Sequence, residues 1–209
     1  MNVTQFYSQF GEDKFLHKQI FKGKRDGVFC ELGAMNGVQW SNTCFFEEQL
    51  NWTGYLVEPD PVSYSTLAQN RPKSKCYNYA ISQEKGEVEM LINPNQHAVA
   101  AVKEGISQGF YQKWHTYSQK VMVPSAPFRD ILTSKECPHI DLWSIDVEGR
   151  ELDVLDTWDW NIKVDYILIE TLDHFYKETN DKCRGYLMAK GYRFLQKVAH
   201  NELWVSKTL

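Results

Sequence analysis

Between Val28 and Asp60 the chain reads VFCELGAMNGVQWSNTCFFEEQLNWTGYLVEPD. An apolar run leads into a loop with two glycines, an amphipathic segment follows, and a second apolar run ends in an acid. This is a strand-loop-helix-strand unit whose polar residues sit where its strands stop. In an open parallel α/β sheet a ligand lies in the crevice beyond the carboxyl ends of the strands. Glu31, Gly33, Asn36, Gly37 and Glu58 all fall at or just past those ends, which makes the stretch the cofactor half of an enzyme.

The rest of the chain extends the same pattern. Residues 8–21 (SQFGEDKFLHKQIF) read as a leading helix with Ser8 as N-cap and acids in its first turn. A helix is expected from Ser41 to about Leu50, and another after Pro59-Asp60-Pro61, where proline suits a first helical turn. Lys75–Ala80 and the alternating GEVEMLI of Gly86–Ile92 read as third and fourth strands. Asn93–Val121 is weakly patterned, with His97, His115 and the aromatics Phe110, Tyr111, Trp114 and Tyr117. Such an insert in a compact domain is usually functional or mobile. A short strand at 121–123 and a helix over Phe128–Lys135 follow. Ile140–Asp146 (IDLWSID) and Val164–Glu170 (VDYILIE) are strands ending in acids, with a helix over Glu151–Trp158 between them. After a polar turn, a helix over Asp181–Lys190 stops at Gly191, and Tyr192–Lys197 with Glu202–Ser206 form a terminal hairpin, so the last strand runs against its neighbour. The expectation is one domain over residues 1–209, with 93–121 as an insert on the acceptor side.

Composition narrows the class. A chain of 209 residues with 43% hydrophobic residues can bury a core without staples. A net charge of −4 offers no broad basic field for a nucleic-acid backbone. The five cysteines contain no C-x-x-C pair and read as reduced thiols. With no basic-then-apolar leader and no run of about 18 apolar residues, the expectation is a soluble, cytoplasmic protein without nucleic-acid or membrane partners.

Three features carry chemistry. The loop Glu31–Gly37 has G-x-x-x-G rather than the dinucleotide fingerprint G-x-G-x-x-G, with an acid two residues before its first glycine. Glu31 would oppose a pyrophosphate and suits a cationic or zwitterionic ligand. Glu58 lies about twenty residues beyond the loop, the offset at which an acid accepts both hydroxyls of a ribose; read structurally, it is a solvated acid at a helix entrance. Asp146 and Glu148 stand where a strand gives way to a helix, and Glu170 ends the neighbouring strand. Such acids either orient an acceptor hydroxyl as bases or hold a hard cation such as Mg²⁺; as structural residues, Asp146 and Glu148 would cap the following helix. His174, four residues past Glu170, is the best placed histidine for taking a proton, and Trp114, Tyr117, Phe175 and Tyr176 are candidates for stacking on a sugar.

Taken together, SQFGEDKFL, FCELGAMNGVQWSNTCFFE, GYLVEPDP, NYAIS, IDLWSIDVEGRELDVL and YILIE resemble, in order and over nearly the whole chain, the FkbM-type family of class I S-adenosylmethionine-dependent methyltransferases. The resemblance implies a Rossmann-like, mostly parallel seven-stranded sheet with an antiparallel last strand and helices on both faces. It implies that Glu31, Gly33, Ala34, Asn36 and Gly37 hold the amino-acid end of the cofactor, and that Glu58 and Pro59 hold its ribose. Ala80 and Ile81 would border the adenine, Ser41 and Asn42 would lie near the cofactor at the helix start, and Gln9 would close the pocket. Sugar and catechol methyltransferases of related architecture hold a metal at similar strand ends, with Asp or Asn at positions where this chain has Glu; Asp146 and Glu170 would be the ligands. The expected activity is methyl transfer to oxygen, on a sugar hydroxyl of a glycan or a glycosylated metabolite, with Asp146, Glu148, Glu170 and His174 as catalytic candidates. The partner is then a small-molecule or glycan acceptor. Two other readings share the sheet: a non-catalytic cofactor-binding module of a glycan-building protein, and a nicotinamide-dependent oxidoreductase, which should show G-x-G-x-x-G.

Overall fold

The computed structural model describes residues 5–116 and 118–209; Tyr117, one of the aromatics named above, lies outside the described residues. Strands β1 (Val28–Leu32), β2 (Thr53–Val57), β3 (Lys75–Tyr77), β8 (His139–Ile145), β9 (Lys163–Glu170), β10 (Tyr192–Val198) and β11 (Asn201–Ser206) form a seven-stranded sheet in the order β10-β11-β9-β8-β1-β2-β3. The pairs among β3, β2, β1, β8 and β9 are parallel, whereas β11 is antiparallel to both β9 and β10. The terminal hairpin is therefore present, and its reversed strand is inserted one place inside the edge. The central strands β1 and β8 read as continuous apolar runs because helices cover both faces; Phe29, Cys30, Leu142, Trp143 and Ile145 are all buried.

The covering helices are α1 (Glu12–Phe15, continued by a π-turn over Leu16–Phe21), α2 (Cys44–Leu50), α3 (Pro61–Asn70), α5 (Phe128–Ile131), α6 (Glu151–Thr157) and α7 (Asp173–Ala189), with the short α4 (Gln108–Phe110) continued as a π-turn over Tyr111–His115. One core packs Trp143 on Trp158 at 4.1 Å between ring centroids, beside Phe128. The opposite face packs Phe21, Phe46 and Trp52 edge to face or tilted, over Phe29 and Leu168. Asp60 caps α3, its Oδ1 accepting from Val62 N at 3.0 Å with Pro61 in the first turn, as the Pro-Asp-Pro triplet requires.

Several expected elements are redrawn. Lys75–Ala80 is not one strand: β3 stops at Tyr77, and Ala80 begins β4 (Ala80–Ile81), which belongs to a second sheet. That sheet has the order β4-β7-β5-β6, with β5 (Gly86–Ile92), β6 (Ala101–Val102) and β7 (Gln119–Ala126). The alternating run of β5 is thus a strand outside the main sheet, and the expected short strand at 121–123 is the middle of an eight-residue strand paired antiparallel to it. The insert is the excursion between β5 and β7. The leading helix begins at Glu12 behind Gly11 rather than at Ser8. Ser8 still accepts from Asp13 N while the Asp13 carboxylate accepts from Ser8 N, a reciprocal pair displaced by one turn. The helix expected over Phe128–Lys135 ends at Ile131, and the polar segment after Glu170 is the first half of α7, kinked at Tyr176. Among the described residues no helix is long and apolar enough to cross a membrane, and the five cysteines are unpaired.

Candidate active site

The carboxyl ends of β1, β2, β8 and β9 open onto one cavity of about 350 Å³, within the range of small-molecule sites. The second sheet and its excursion form the facing wall, through Ala80, Ile81, Met90, Val102 and the 3₁₀ turn His97–Val99. Of the residues expected at the cofactor, Gln9, Gly33, Ala34, Ser41, Asn42, Glu58, Pro59, Ala80 and Ile81 line this cavity; Asp146, Glu148, Glu170 and His174 line it too.

Glu31, Asn36 and Gly37 are not among the lining residues. The Glu31 carboxylate is buried and accepts from Ser41 Oγ at 2.8 Å, Asn42 N at 2.7 Å and Thr43 Oγ1 at 2.6 Å, so it ties the loop back to the strand instead of facing a ligand. Asn36 Oδ1 accepts from Val38 N and Gln39 N, closing a local turn. Gly37, at φ 80°, lies against helix α3, where an added Cβ would stand 2.6 Å from Leu67. These three shape the loop from behind. Arg71, fully buried, completes the support: its guanidinium donates to Glu47 Oε2 (3.0 Å), Gly37 O (2.8 Å), Ser41 Oγ (3.2 Å) and Thr43 Oγ1 (3.1 Å).

Gly33 is fixed by space. At φ 74° its α-carbon approaches the end of β8 so closely that a Cβ would lie 1.9 Å from the Asp146 carbonyl oxygen. The first loop and the acidic strand end are therefore in contact, which places both halves of the motif in one cavity.

Glu58 is buried with its two oxygens held by backbone donors, Met35 N to Oε2 and Asp60 N to Oε1, each at 2.8 Å. Burial pushes its carboxyl up to about 7, against those two hydrogen bonds. A carboxylate so oriented retains acceptor capacity on both oxygens for a vicinal diol.

Asp146, Glu148 and Glu170 bring carboxylate oxygens within 4.8 Å of one another. Burial raises all three, Asp146 to about 7; Asp146 in turn raises Glu148 and Glu170, whereas Asp146 itself is raised by Glu151 and Glu31 and lowered by its hydrogen bond with Glu170. Glu148 sits at φ 54°, and its buried Oε2 has no hydrogen-bond partner among the described residues. Neither Asp146 nor Glu148 caps helix α6. That helix has no side-chain cap; Glu151 at its start braces the preceding turn instead, its Oε1 accepting from Val147 N and Gly149 N at 3.2 Å each. Glu12 adds a fifth carboxylate to the lining, accepting from Phe10 N and from Asn201 Nδ2.

The histidines and aromatics divide. His174 lines the cavity against Phe175, their centroids 4.0 Å apart. His115 is not at the mouth: it is buried, bonded to Ser118, and burial lowers its pKa. Trp114 and Phe175 line the cavity, whereas Tyr176 is packed into a small core with Val99 and Phe110. Phe10 and Trp40, which the sequence pattern did not single out, stand exposed on the cavity rim. Trp40 is held at φ 61°, an unusual conformation for so bulky a residue. Glu12 and Arg71 also escaped the sequence reading; one lay in a helix turn and the other in a polar run, and only tertiary contact reveals them.

Among solved structures the chain is similar to a TehB-like SAM-dependent methyltransferase from Corynebacterium glutamicum, at 10% identity, covering 95% of this chain and 86% of that one with a TM-score of 0.48. It is also similar to fibrillarin from Aeropyrum pernix, crystallised with S-adenosyl-L-methionine (13% identity, 95% and 73% covered, TM-score 0.48). A third is precorrin-6y C5,15-methyltransferase from Geobacter metallireducens (12% identity, 93% and 85% covered, TM-score 0.48). None of the curated proteins matches the chain. The methyltransferase FkbM domain model matches residues 31–194, from the acid that ties the first loop to the hairpin that closes the sheet. With the loop, Glu58 and the acidic strand ends all inside that span, the chain belongs to the FkbM methyltransferase domain family.

Proposed function

We propose that this protein transfers the methyl group of S-adenosylmethionine to an oxygen, on a hydroxyl of a sugar in a glycan or glycosylated metabolite. The observation that carries the reading is the cavity's acidic lining: Glu12, Glu58, Asp146, Glu148 and Glu170 face one space at the carboxyl ends of parallel strands. A nearby cation favours ionisation of such carboxyls, whereas a pyrophosphate opposes it, so the lining suits a cationic ligand. S-adenosylmethionine carries a sulfonium and supplies an electrophilic methyl. Glu58 suits its ribose, Ala80 and Ile81 suit its adenine, and the Gly33–Ala34 turn lies beside the acids.

The remaining work belongs to the chain's own residues. Asp146, raised to about 7, is matched to accepting a hydroxyl proton near neutral pH. Glu170, raised further by its neighbours, holds a proton beside it, so the pair titrates as a unit. His174 offers a second route for the proton to solvent. The aromatic rim of Phe10, Trp40, Trp114 and Phe175 suits the apolar face of a sugar ring. Holding the acceptor oxygen in line with the methyl supplies much of the acceleration.

The donor set of Asp146, Glu148 and Glu170 also fits a hard divalent cation such as Mg²⁺, since it offers only oxygens and includes a buried one without a partner. Asp146 and Glu170 would hold the ion, with Glu148 beside them, and it would lower the acceptor hydroxyl's pKa. Transfer from methyl-labelled S-adenosylmethionine to a panel of methyl glycosides, with and without EDTA, tests the proposal. Labelled ethers are expected, with Asp146→Asn reducing turnover by about 10²–10³-fold. Label appearing on amines alone would refute transfer to oxygen, and loss of turnover in EDTA restored by Mg²⁺ would assign the acids to a cation.

A further inference from the structure

We infer that His97 is a nucleoside-contacting residue, carried by the excursion between β5 and β7 and aimed by Asp60; the inference rests on the cofactor reading above. Asp60 is the second residue after Glu58, is buried, and has one carboxylate oxygen in the cap of α3. Its other oxygen, Oδ2, accepts from Ser63 Oγ at 2.7 Å and from His97 Nδ1 at 2.6 Å. A carboxylate on one ring nitrogen fixes an imidazole's orientation and makes the opposite nitrogen its working atom. The His97 side chain is 34% exposed and lines the cavity, so Nε2 is the nitrogen left for a ligand.

The surroundings say which part of a ligand it meets. The facing wall is apolar at Ala80, Ile81, Met90 and Val102, and from the adjoining turn Gln96 and His97 bring polar side chains to it. An adenine against this wall has ring nitrogens and an amino group that need partners once desolvated. The tethered His97 supplies one, two residues along the chain from the wall of Val99 and through Asp60 from the ribose acid Glu58. Val99 packs with Phe110 and Tyr176, and the Tyr176 ring lies where a Gly149 side chain would be. The excursion is thus anchored at the acidic cluster at one end and at the nucleoside at the other.

The test is calorimetry with S-adenosylhomocysteine, and with adenosine as its competitor, on the wild type, His97→Ala and His97→Gln. Loss of one such contact is expected to weaken both ligands by the same factor, about tenfold. Gln places an amide nitrogen near the reach of Nε2 and is expected to restore most of the affinity. Unliganded melting curves of the variants confirm that the fold is kept. Unchanged affinity in His97→Ala, or weakened S-adenosylhomocysteine with unchanged adenosine, overturns the assignment while leaving the cofactor reading intact. Wild-type protein that binds no S-adenosylhomocysteine overturns both.

Discussion

At the scale of single residues, the site is a set of acids kept away from water. Glu58 and Asp146 are both raised to about 7, chiefly by burial. Between the ordinary carboxylate range and pH 7 the folded protein therefore binds more protons than the unfolded chain, and its unliganded stability falls as pH rises through that window. Melting temperatures measured from pH 5 to 8 are expected to fall, and Asp146→Asn to flatten the profile and raise the value at pH 8 by about 3 °C or more. An unchanged profile in that variant would mean Asp146 is ionised without penalty. Gly33 is constrained from the other direction. Gly33→Ala meets both a positive φ and the Asp146 carbonyl at 1.9 Å, so a loss of about 3 kcal/mol or more is expected in denaturant titration. Both positions were visible in the sequence as a loop glycine and a strand-end acid. Their mutual contact was not, because nothing in local pattern says which strand lies beside which.

Among the elements, the loop between β1 and α2 owes its shape to α3. Arg71 is buried at the end of that helix and pairs with Glu47 at 3.0 Å while donating to Gly37 O and Ser41 Oγ. Removing one partner of a buried pair leaves an uncompensated charge at a cost of about 3–5 kcal/mol. Arg71→Ala is expected to show that loss by urea unfolding and to lower affinity for S-adenosylhomocysteine, and Glu47→Gln in the same chain to recover part of the stability. Full affinity in the single variant would show that the loop holds its shape without α3. The sequence displayed Arg71 within the run Arg71-Pro72-Lys73-Ser74-Lys75, whose polarity reads as exposed loop. Only its tertiary contacts, with Glu47 of α2 and with Gly37, Ser41 and Thr43 of the first loop, bury it. Likewise β4, β5 and β7 have strand patterns, but strand pattern does not say which sheet a strand joins. The split at Asn78 and Tyr79, which carries the chain from one sheet to the other, has no signature in the alternation of residues.

For the whole molecule, the strand order β10-β11-β9-β8-β1-β2-β3 places four strand ends around one cavity, and the second sheet closes its other side. The βαβ unit, the terminal hairpin and the acids at strand ends were legible because each follows from hydrophobic period, turn residues and the crossover rule. The facing wall was not, since it arises from pairing between β5 and β7 across the excursion of residues 93–118. On the proposed function, this cavity holds a cationic, adenosine-bearing cofactor rather than a dinucleotide. Titration calorimetry of the wild-type protein with S-adenosylhomocysteine and with NAD tests that most directly. One-to-one binding of S-adenosylhomocysteine and no binding of NAD is the predicted result; NAD binding with no heat from S-adenosylhomocysteine would contradict it.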